Sequence, residues 1–313
     1  MPAPTYAVVI CTRNRPDAVT RLLRSLAHEA EPGMHVWLVD ASDAADRRRN
    51  AAAVEAFTAA PIHHLLYSGT PSLARQRNFA LDALPETIVI VHFLDDDVTV
   101  HPGYFRALNT VFAEEPAVGG SGGRILQDGT DTQRRGLWWR RLFLLDHPVP
   151  GRVLCSGATT PAQVLPLTAR TPVSWLSGCS CAFRRVLLDR HRFDPALEGY
   201  SLDEDLDFSY RVGREARLVV VPEAVLTHHV APGGRESVDC LAHDALVHRY
   251  WFLEKNLRSR WRKPAFWWSV VGRLLAAGIS RSPQARNVFR ARLRAVGTIW
   301  RRAHSLLRPW PRP

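Results

Sequence analysis

The chain has 313 residues, 46% of them hydrophobic and 23% charged. That suits one large globular domain or two small ones, and it excludes a disordered chain, a collagen and a small disulfide-stapled module. The net charge of +11 is unevenly placed: residues 258–313 hold 14 of the 41 basic residues and no acidic one, which leaves 27 basic against 30 acidic residues, net −3, in the remainder.

In chain order, residues 6–11 form a short apolar run that predicts a strand, and Pro16 stands where a first-turn proline belongs. Val19, Leu22, Leu23 and Leu26 follow at helical spacing. A second apolar strand over 36–39 ends at Asp40. A helix over 44–57, a strand over 62–66 and a helix over 72–84 come next, then an apolar strand over 88–94 that stops at three carboxylates. Strands alternating with helices imply an α/β fold whose parallel sheet is covered on both faces, with ligands bound outside the carboxyl ends of the strands.

The second half is less regular. Residues 119–123 read as a flexible glycine-rich stretch, and 137–145, with Trp138, Trp139, Arg140 and Arg141, as a loop or hairpin near a ligand or membrane. A strand is expected over 173–183, a helix over 201–214 and a strand over 218–221. A long helix over 237–259 is ended by Pro264, and two helical stretches over 266–279 and 284–307 follow. Five irregularly spaced cysteines point to a reducing compartment, and Cys179-x-Cys181, with no His at zinc-finger spacing, reads as buried thiols. No signal-peptide pattern opens the sequence, and no run reaches the ~18 apolar residues of a membrane span.

Asp95-Asp96-Asp97 is the strongest chemical signal. Three adjacent carboxylates repel one another, and a divalent cation relieves this because hard cations prefer carboxylate oxygen. The bland alternative is a solvated acidic turn. A second acidic group spans Asp203-Glu204-Asp205-Leu206-Asp207. Here Ser201-x-x-Glu204 has the form of a capping box, and Asp207 and Arg211 are spaced as an i,i+4 ion pair. Asp205 is explained by neither pattern. His228 and His229, before Pro232-Gly233-Gly234, are metal ligands or ordinary packed groups. The glycines at 119–123 lack the Lys-Ser/Thr ending and the helix of a phosphate loop. Arg75 and Arg77 contact a diphosphate or form a solvated face. Trp175 stacks on a sugar or belongs to the core.

Several segments occur in a definite order: Val8-Val9-Ile10-Cys11-Thr12 followed by Arg13-Asn14-Arg15-Pro16, Asp40-Ala41-Ser42, Ala74-Arg75-Gln76-Arg77-Asn78, and Phe93-Leu94-Asp95-Asp96-Asp97. Trp175-Leu176-Ser177-Gly178 then precedes Arg184-Arg185. Phe193-Asp194 precedes Glu204 to Phe208 and Arg211, and Pro222-Glu223-Ala224 leads to His228. Over about residues 5–230, roughly three-quarters of the chain, this set resembles the family-2 glycosyltransferases of the GT-A fold.

The resemblance implies a Rossmann-like, mostly parallel sheet flanked by helices, over a domain at 1–235 with a nucleotide-sugar half to about 118 and an acceptor half beyond, then a helical basic extension over 236–313. It implies that Thr12, Arg13 and Asp40 hold a nucleoside with Arg77 and Asn78 nearby, and that Asp95 and Asp96 contact the donor. It also implies that Asp97, Asp95 and His228 bind Mg or Mn at the diphosphate, and that Asp205, with Glu204 beside it, is the catalytic base. The donor would be a UDP-, dTDP- or GDP-sugar and the acceptor a hydroxyl of a glycan or lipid-linked molecule, with inversion at the sugar. Asp40-Ala41-Ser42 departs from the many members with a second polar residue or Gly there, which leaves the base open.

Two other readings stand beside this one. A polyprenyl phosphate acceptor, already ionised, needs no base; a catalytically silent membrane-binding module would keep the fold alone. The basic tail holds Trp261, Trp267, Trp268, Trp300 and Trp310. Its 266–279 stretch suits a helix in the plane of lipid headgroups, held by an anionic leaflet. No nucleic-acid motif accompanies the charge. The expected place is cytoplasmic, peripheral on the inner face of the membrane; packing of the tail on the acidic body is the alternative.

Overall fold

A computed structural model describes residues 5–127, 137–199, 201–229, 237–280 and 282–308. Pro232-Gly233-Gly234, Trp310 and the expected domain border at 235/236 lie outside the described residues. The chain divides into two compact units, residues 1–132 with 161–234, and residues 133–160 with 235–313. Residues 133–160, assigned above to the acceptor half, therefore group with the C-terminal helices.

The first unit opens with β1 (Tyr6–Thr12), α1 (Pro16–His28), β2 (Met34–Asp40), α2 (Ala44–Glu55), β3 (Ile62–Leu66), α3 (Leu73–Ala83) and β4 (Ile90–Asp95). β5 (Val98–Val100), α4 (Tyr104–Glu114) and β6 (Val118–Gln127) follow. The second unit contributes α5 (Leu137–Leu142). The chain then returns to the first unit with β7 (Thr171–Val173), β8 (Ser180–Arg184), α6 (Arg185–Arg190), α7 (Glu204–Val212) and β9 (Arg217–His228). α8 (Val238–Asn256), α9 (Arg262–Ile279) and α10 (Ala285–Trp300) complete the second unit.

The described strands form one sheet in the order β3-β2-β1-β4-β8-β6-β9-β5, with β7 on β9. β3, β2, β1 and β4 are mutually parallel, β6 and β9 are parallel, and β8 runs against both β4 and β6. The architecture is the mostly parallel, helix-flanked sheet that the sequence predicts. Alternation along β1 sends Val8 and Ile10 into one apolar cluster with Leu22, Leu26 and Phe105, and Ala7 and Val9 into a second with Phe93, Phe183 and Phe208. Both faces are covered, so the inner strands read as continuous apolar runs. Each such side chain, fully buried, contributes about 1.5–3 kcal/mol. Local signals set the helix starts: Pro16 opens α1, Asp43 accepts from the amides of Ala45 and Asp46 to cap α2, and Ser72 accepts from the Arg75 amide to cap α3.

The structure corrects five expectations. The 119–123 glycines are not flexible but lie in β6, buried in the sheet. A Cβ at Gly120 would stand 2.7 Å from Leu218 and Phe183, and one at Gly123 would stand 2.5 Å from the Ala224 carbonyl. Residues 137–142 are helical; Trp139 packs tilted on Phe143, which stacks on Trp268. The strand expected over 173–183 is two, β7 and β8, because residues 174–179 turn away and the Ser180 amide closes on the Ser177 carbonyl at 3.1 Å. The capping box is not made. Asp203, at φ 65°, precedes α7, while the Ser201 hydroxyl donates to the Leu197 carbonyl at 3.0 Å and Glu204 reaches an arginine. Pro264 lies in the first turn of α9 instead of ending the helix before it, where its missing N–H costs nothing.

Candidate active site

The strand order 3-2-1-4 reverses direction between β1 and β4, because α1 leads outward to β2 while α3 crosses back to β4. Helices on opposite faces leave a crevice at such a point, outside the carboxyl ends of the strands. β1 ends there at Thr12 and β4 at Asp95.

The turn from β4 to β5 carries the first acidic cluster. The Thr12 hydroxyl donates to Asp96 Oδ2 at 2.7 Å. Arg15 Nη1 lies 3.0 Å from Asp96 Oδ1 and 3.5 Å from Asp97 Oδ2, and His228 Nε2, at the end of β9, is 3.1 Å from Asp97 Oδ1. Burial pushes Asp96 up to about 6 against the pull of Arg15 and the Thr12 hydroxyl. Burial also raises Asp95, opposed by Arg77 and reinforced by Asp97. Carboxylates this close and this desolvated resist ionising together, and nearby positive charge favours their charged form.

Among the arginines after β1 it is Arg15, and not the expected Arg13, that meets these carboxylates. Asn14 adopts the left-handed conformation at φ 56°, which asparagine tolerates because its short side chain bonds locally. The Asn14 amide donates to Ser42 Oγ at 2.8 Å, and the Asp43 amide donates to Asn14 Oδ1 at 2.9 Å. That kink leaves Arg13 exposed and sends Arg15 to the carboxylates. An asparagine between two arginines after a strand is the only trace of this in the sequence.

The second cluster opens α7. Asp205 Oδ2 accepts from the Gly178 amide at 2.9 Å and its Oδ1 from the Leu206 amide at 2.7 Å. Burial raises its carboxyl nevertheless. Glu204 is buried against Arg77, and burial pushes it up to about 8 although Arg77 draws it down. Asp207 pairs with Arg211 at 3.0 Å, as the spacing predicts. Arg77 joins the two clusters. Its guanidinium, whose side chain is 2% exposed, bonds Glu204, Asp95 Oδ1 at 3.2 Å and the Gly178 carbonyl at 3.0 Å, over the rings of Phe93 and Phe193. A Cβ at Gly178 would stand 2.5 Å from Arg77 Nη1, so this approach requires glycine.

Thr12, Asp95, Asp96, Asp97 and His228 thus gather at one place, with Glu204 and Asp205 reached through Arg77. Two expected donor contacts point elsewhere. Asp40 is fully buried, with one oxygen accepting from the Ser42 amide at 2.8 Å and the other meeting Asn50 at 2.9 Å and His64 at 3.1 Å. Burial alone would raise its carboxyl, but these bonds hold it well below the usual range. It ties down the loop after β2 and presents no free edge to a nucleoside. Asn78 closes on the backbone of Phe193 at 2.8 and 3.0 Å. Arg75 makes a surface pair with Glu198.

The donor set suits a divalent cation. Carboxylate oxygens with one imidazole match the preference of Mg and Mn for hard ligands. Ligand atoms of Asp95, Cys179 and His228 lie within 4.8 Å of one another. Burial pushes the Cys179 thiol well up.

The fold has known counterparts. GalNAc-T7 with UDP, GalNAc and Mn2+ superposes with a TM-score of 0.63 at 14% identity, covering 94% of this chain and 55% of that one, so this chain spans about half its length. S. aureus TarS 1–349 in complex with UDP-GlcNAc gives 0.59 at 14% identity, covering 93% and 81%. The mannosyltransferase PcManGT from Pyrobaculum calidifontis in complex with GDP-Man and Mn2+ gives 0.56 at 16% identity, covering 98% and 86%. No curated protein matches the sequence significantly. Residues 2–261 match the family described as glycosyltransferase like family 2. Since that match runs from before β1 to beyond α8 and takes in both acidic clusters, the chain belongs to this glycosyltransferase family.

Proposed function

We propose that the protein is a metal-dependent inverting glycosyltransferase that moves a sugar from a nucleotide-sugar donor to a hydroxyl of a glycan or lipid-linked acceptor. One observation carries this reading. Arg77 ties Asp95 to Glu204 and Gly178, and Gly178 in turn donates to Asp205, so two acidic sites with different surroundings flank one guanidinium. Sugar transfer needs such a pair, one to stabilise the leaving diphosphate and one to take a proton.

Asp97, Asp95 and His228 would hold the cation, which when bound stabilises the charge on the departing diphosphate as a Lewis acid. Arg15 adds a fixed positive charge beside Asp96 and Asp97. Asp205 takes the acceptor proton. Burial makes it a stronger base than an exposed aspartate, and such a base contributes typically ~10²–10⁴-fold. A single displacement with this base inverts the anomeric carbon.

The second unit supports a place at a membrane surface. Trp268, Val271, Leu275 and Ile279 are exposed and, at i, i+3, i+7 and i+11, share one face of α9. No described helix is long and apolar enough to cross a membrane. An apolar stripe in an acid-free basic segment fits a helix lying in anionic headgroups, each nearby basic residue contributing about 1 kcal/mol. This supports a lipid-linked acceptor and a peripheral position on the cytoplasmic face.

Calorimetric titration with UDP-, dTDP- and GDP-sugars, with and without Mn2+, tests the proposal. Binding of one donor class that depends on Mn2+ is expected. Binding of none would overturn the reading and leave a silent membrane-binding module. Turnover that prefers a polyprenyl phosphate over any hydroxyl would replace the acceptor class.

A further inference from the structure

We propose that Cys179 is a sulfur ligand of the cation in this site, beside Asp95 and His228, and that it biases the site towards cations softer than Mg2+ and Mn2+, such as Co2+, Zn2+ and Cd2+. This rests on the metal-dependent reading above and adds to it a ligand that carboxylate and imidazole chemistry does not require.

The three residues come from separate elements. Asp95 closes β4, Cys179 immediately precedes β8 and His228 closes β9. The sheet pairs β4 directly with β8 and places β9 beyond β6. Nothing in the local sequence brings these residues together, yet one ligand atom of each lies within 4.8 Å of the other two. Metal bonds of ~2.0–2.3 Å to N, O and S set three ligand atoms about 3.3–3.8 Å apart around one ion, so shifts of up to about 1 Å complete the set.

The thiol is an independent sign. Cys179 is 6% exposed, and no hydrogen bond of its sulfur occurs among the described residues. Its backbone amide bonds Ser177 Oγ, which leaves the side chain undirected by that contact. Cys181 provides an internal contrast. It is also buried, at 3%, two residues along the same segment, but it packs in the opposite apolar cluster with Val9, Phe93 and Phe183 and belongs to no such group of ligand atoms among the described residues. Packing accounts for both cysteines as apolar filler; only Cys179 also has a carboxylate and an imidazole within reach of one shared ion. On coordination the S–H proton leaves to solvent and the sulfur lone pair forms the bond to the metal. Thiolate selects softer cations than carboxylate does, so the bias follows from the donor set.

The test uses the full chain carrying Cys155→Ser and Cys240→Ser, which removes the two exposed thiols as rival ligands. One equivalent of Co2+ is added. A near-ultraviolet sulfur-to-cobalt charge-transfer band is expected, bleached by excess Mn2+ and retained in Cys181→Ala. With Cys179→Ser the band should vanish while visible cobalt bands persist, and Cd2+ affinity relative to Mg2+ should fall at least ~10-fold. Cobalt binding without the band, a band that survives Cys179→Ser, or a band that Mn2+ does not displace overturns the assignment and leaves the metal reading intact. Absence of both Co2+ and Mn2+ binding overturns the two together. If Cys179→Ser does not fold, cadmium K-edge absorption on the unsubstituted Cys179 protein decides: one sulfur neighbour supports the ligand, and only oxygen and nitrogen neighbours overturn it.

Discussion

At the turn after β4, Asp95, Asp96 and Asp97 are met by side chains from β1, from the loop after it and from the end of β9: Thr12, Arg15 and His228. At the start of α7, Glu204 and Asp205 are met by backbone amides and by one buried arginine from α3. The first cluster is held by groups that a cation can displace or join, since side chains swing and ion pairs exchange. In the second, Asp205 is held by amides fixed in the peptide plane, which do not move away. Similar acidic sequences therefore have different surroundings, which is what the proposed function uses: one cluster as the proposed cation cradle, the other as the proposed proton acceptor.

Substitutions can break this contrast. Asp97→Ala should abolish transfer and remove the Mn2+-dependent part of nucleotide binding, read by calorimetry; nucleotide binding that keeps its full Mn2+ dependence would show that the turn is not the cation site. Asp205→Asn should leave donor binding unchanged and lower turnover by ~10²–10⁴-fold. Normal turnover in that variant would remove the base from α7 and favour an acceptor that is already ionised.

Arg77→Met tests whether the clusters depend on their shared partner. It strands Glu204, and removing one member of a buried pair typically costs about 3–5 kcal/mol. Urea denaturation should show a loss of that size, and Arg77→Met with Glu204→Gln should recover part of it. A loss below 1 kcal/mol would mean that the pair behaves as a surface one.

A smaller effect separates the β4 strand from the carboxylates at its end. His92 is fully buried on β4, bonded through Nε2 to Asn109 at 2.9 Å, and burial pushes it down to about 4. Its folded value lies below its unfolded value near 6.5, so the unfolded chain takes up the proton first. Stability from this group is lost as pH falls from about 6.5 to about 4, by up to about 3 kcal/mol. Asp96 and Glu204 act in the opposite sense. Their folded values lie above the unfolded ones, so their contribution falls as pH rises towards about 6 and about 8 respectively. In chemical denaturation between pH 7 and 4, His92→Gln should flatten the acid-side loss; an unchanged slope would assign that loss to other groups.

Much of the first hundred residues was legible because each signal is local. The β1 run, Pro16, the helix over 72–84 and the Ile62–Leu66 strand stand where the sequence places them. The second half resisted because its pattern is not local. The β6 glycines are read as a flexible stretch until Leu218, Phe183 and the Ala224 carbonyl fill the space that side chains would need. The Ser201-x-x-Glu204 pattern looks like a cap until Arg77, 127 residues away along the chain, takes the glutamate. Asp40 looks like a ligand-facing strand end until Asn50 and His64 close on it.

Sequence by itself determined the alternation of strands and helices, the covered parallel sheet and the edge where carboxylates collect, because hydrophobic period and turn chemistry act over a few residues. Tertiary structure alone decided which side chains gather at the turn after β4, that Arg15 and not Arg13 faces its carboxylates, that Arg77 lies buried between two acidic clusters, and that Cys179 and His228 meet Asp95. Those outcomes depend on strands far apart in the chain becoming neighbours in the sheet, and on burial that turns an ordinary side chain into a partner that has to be satisfied.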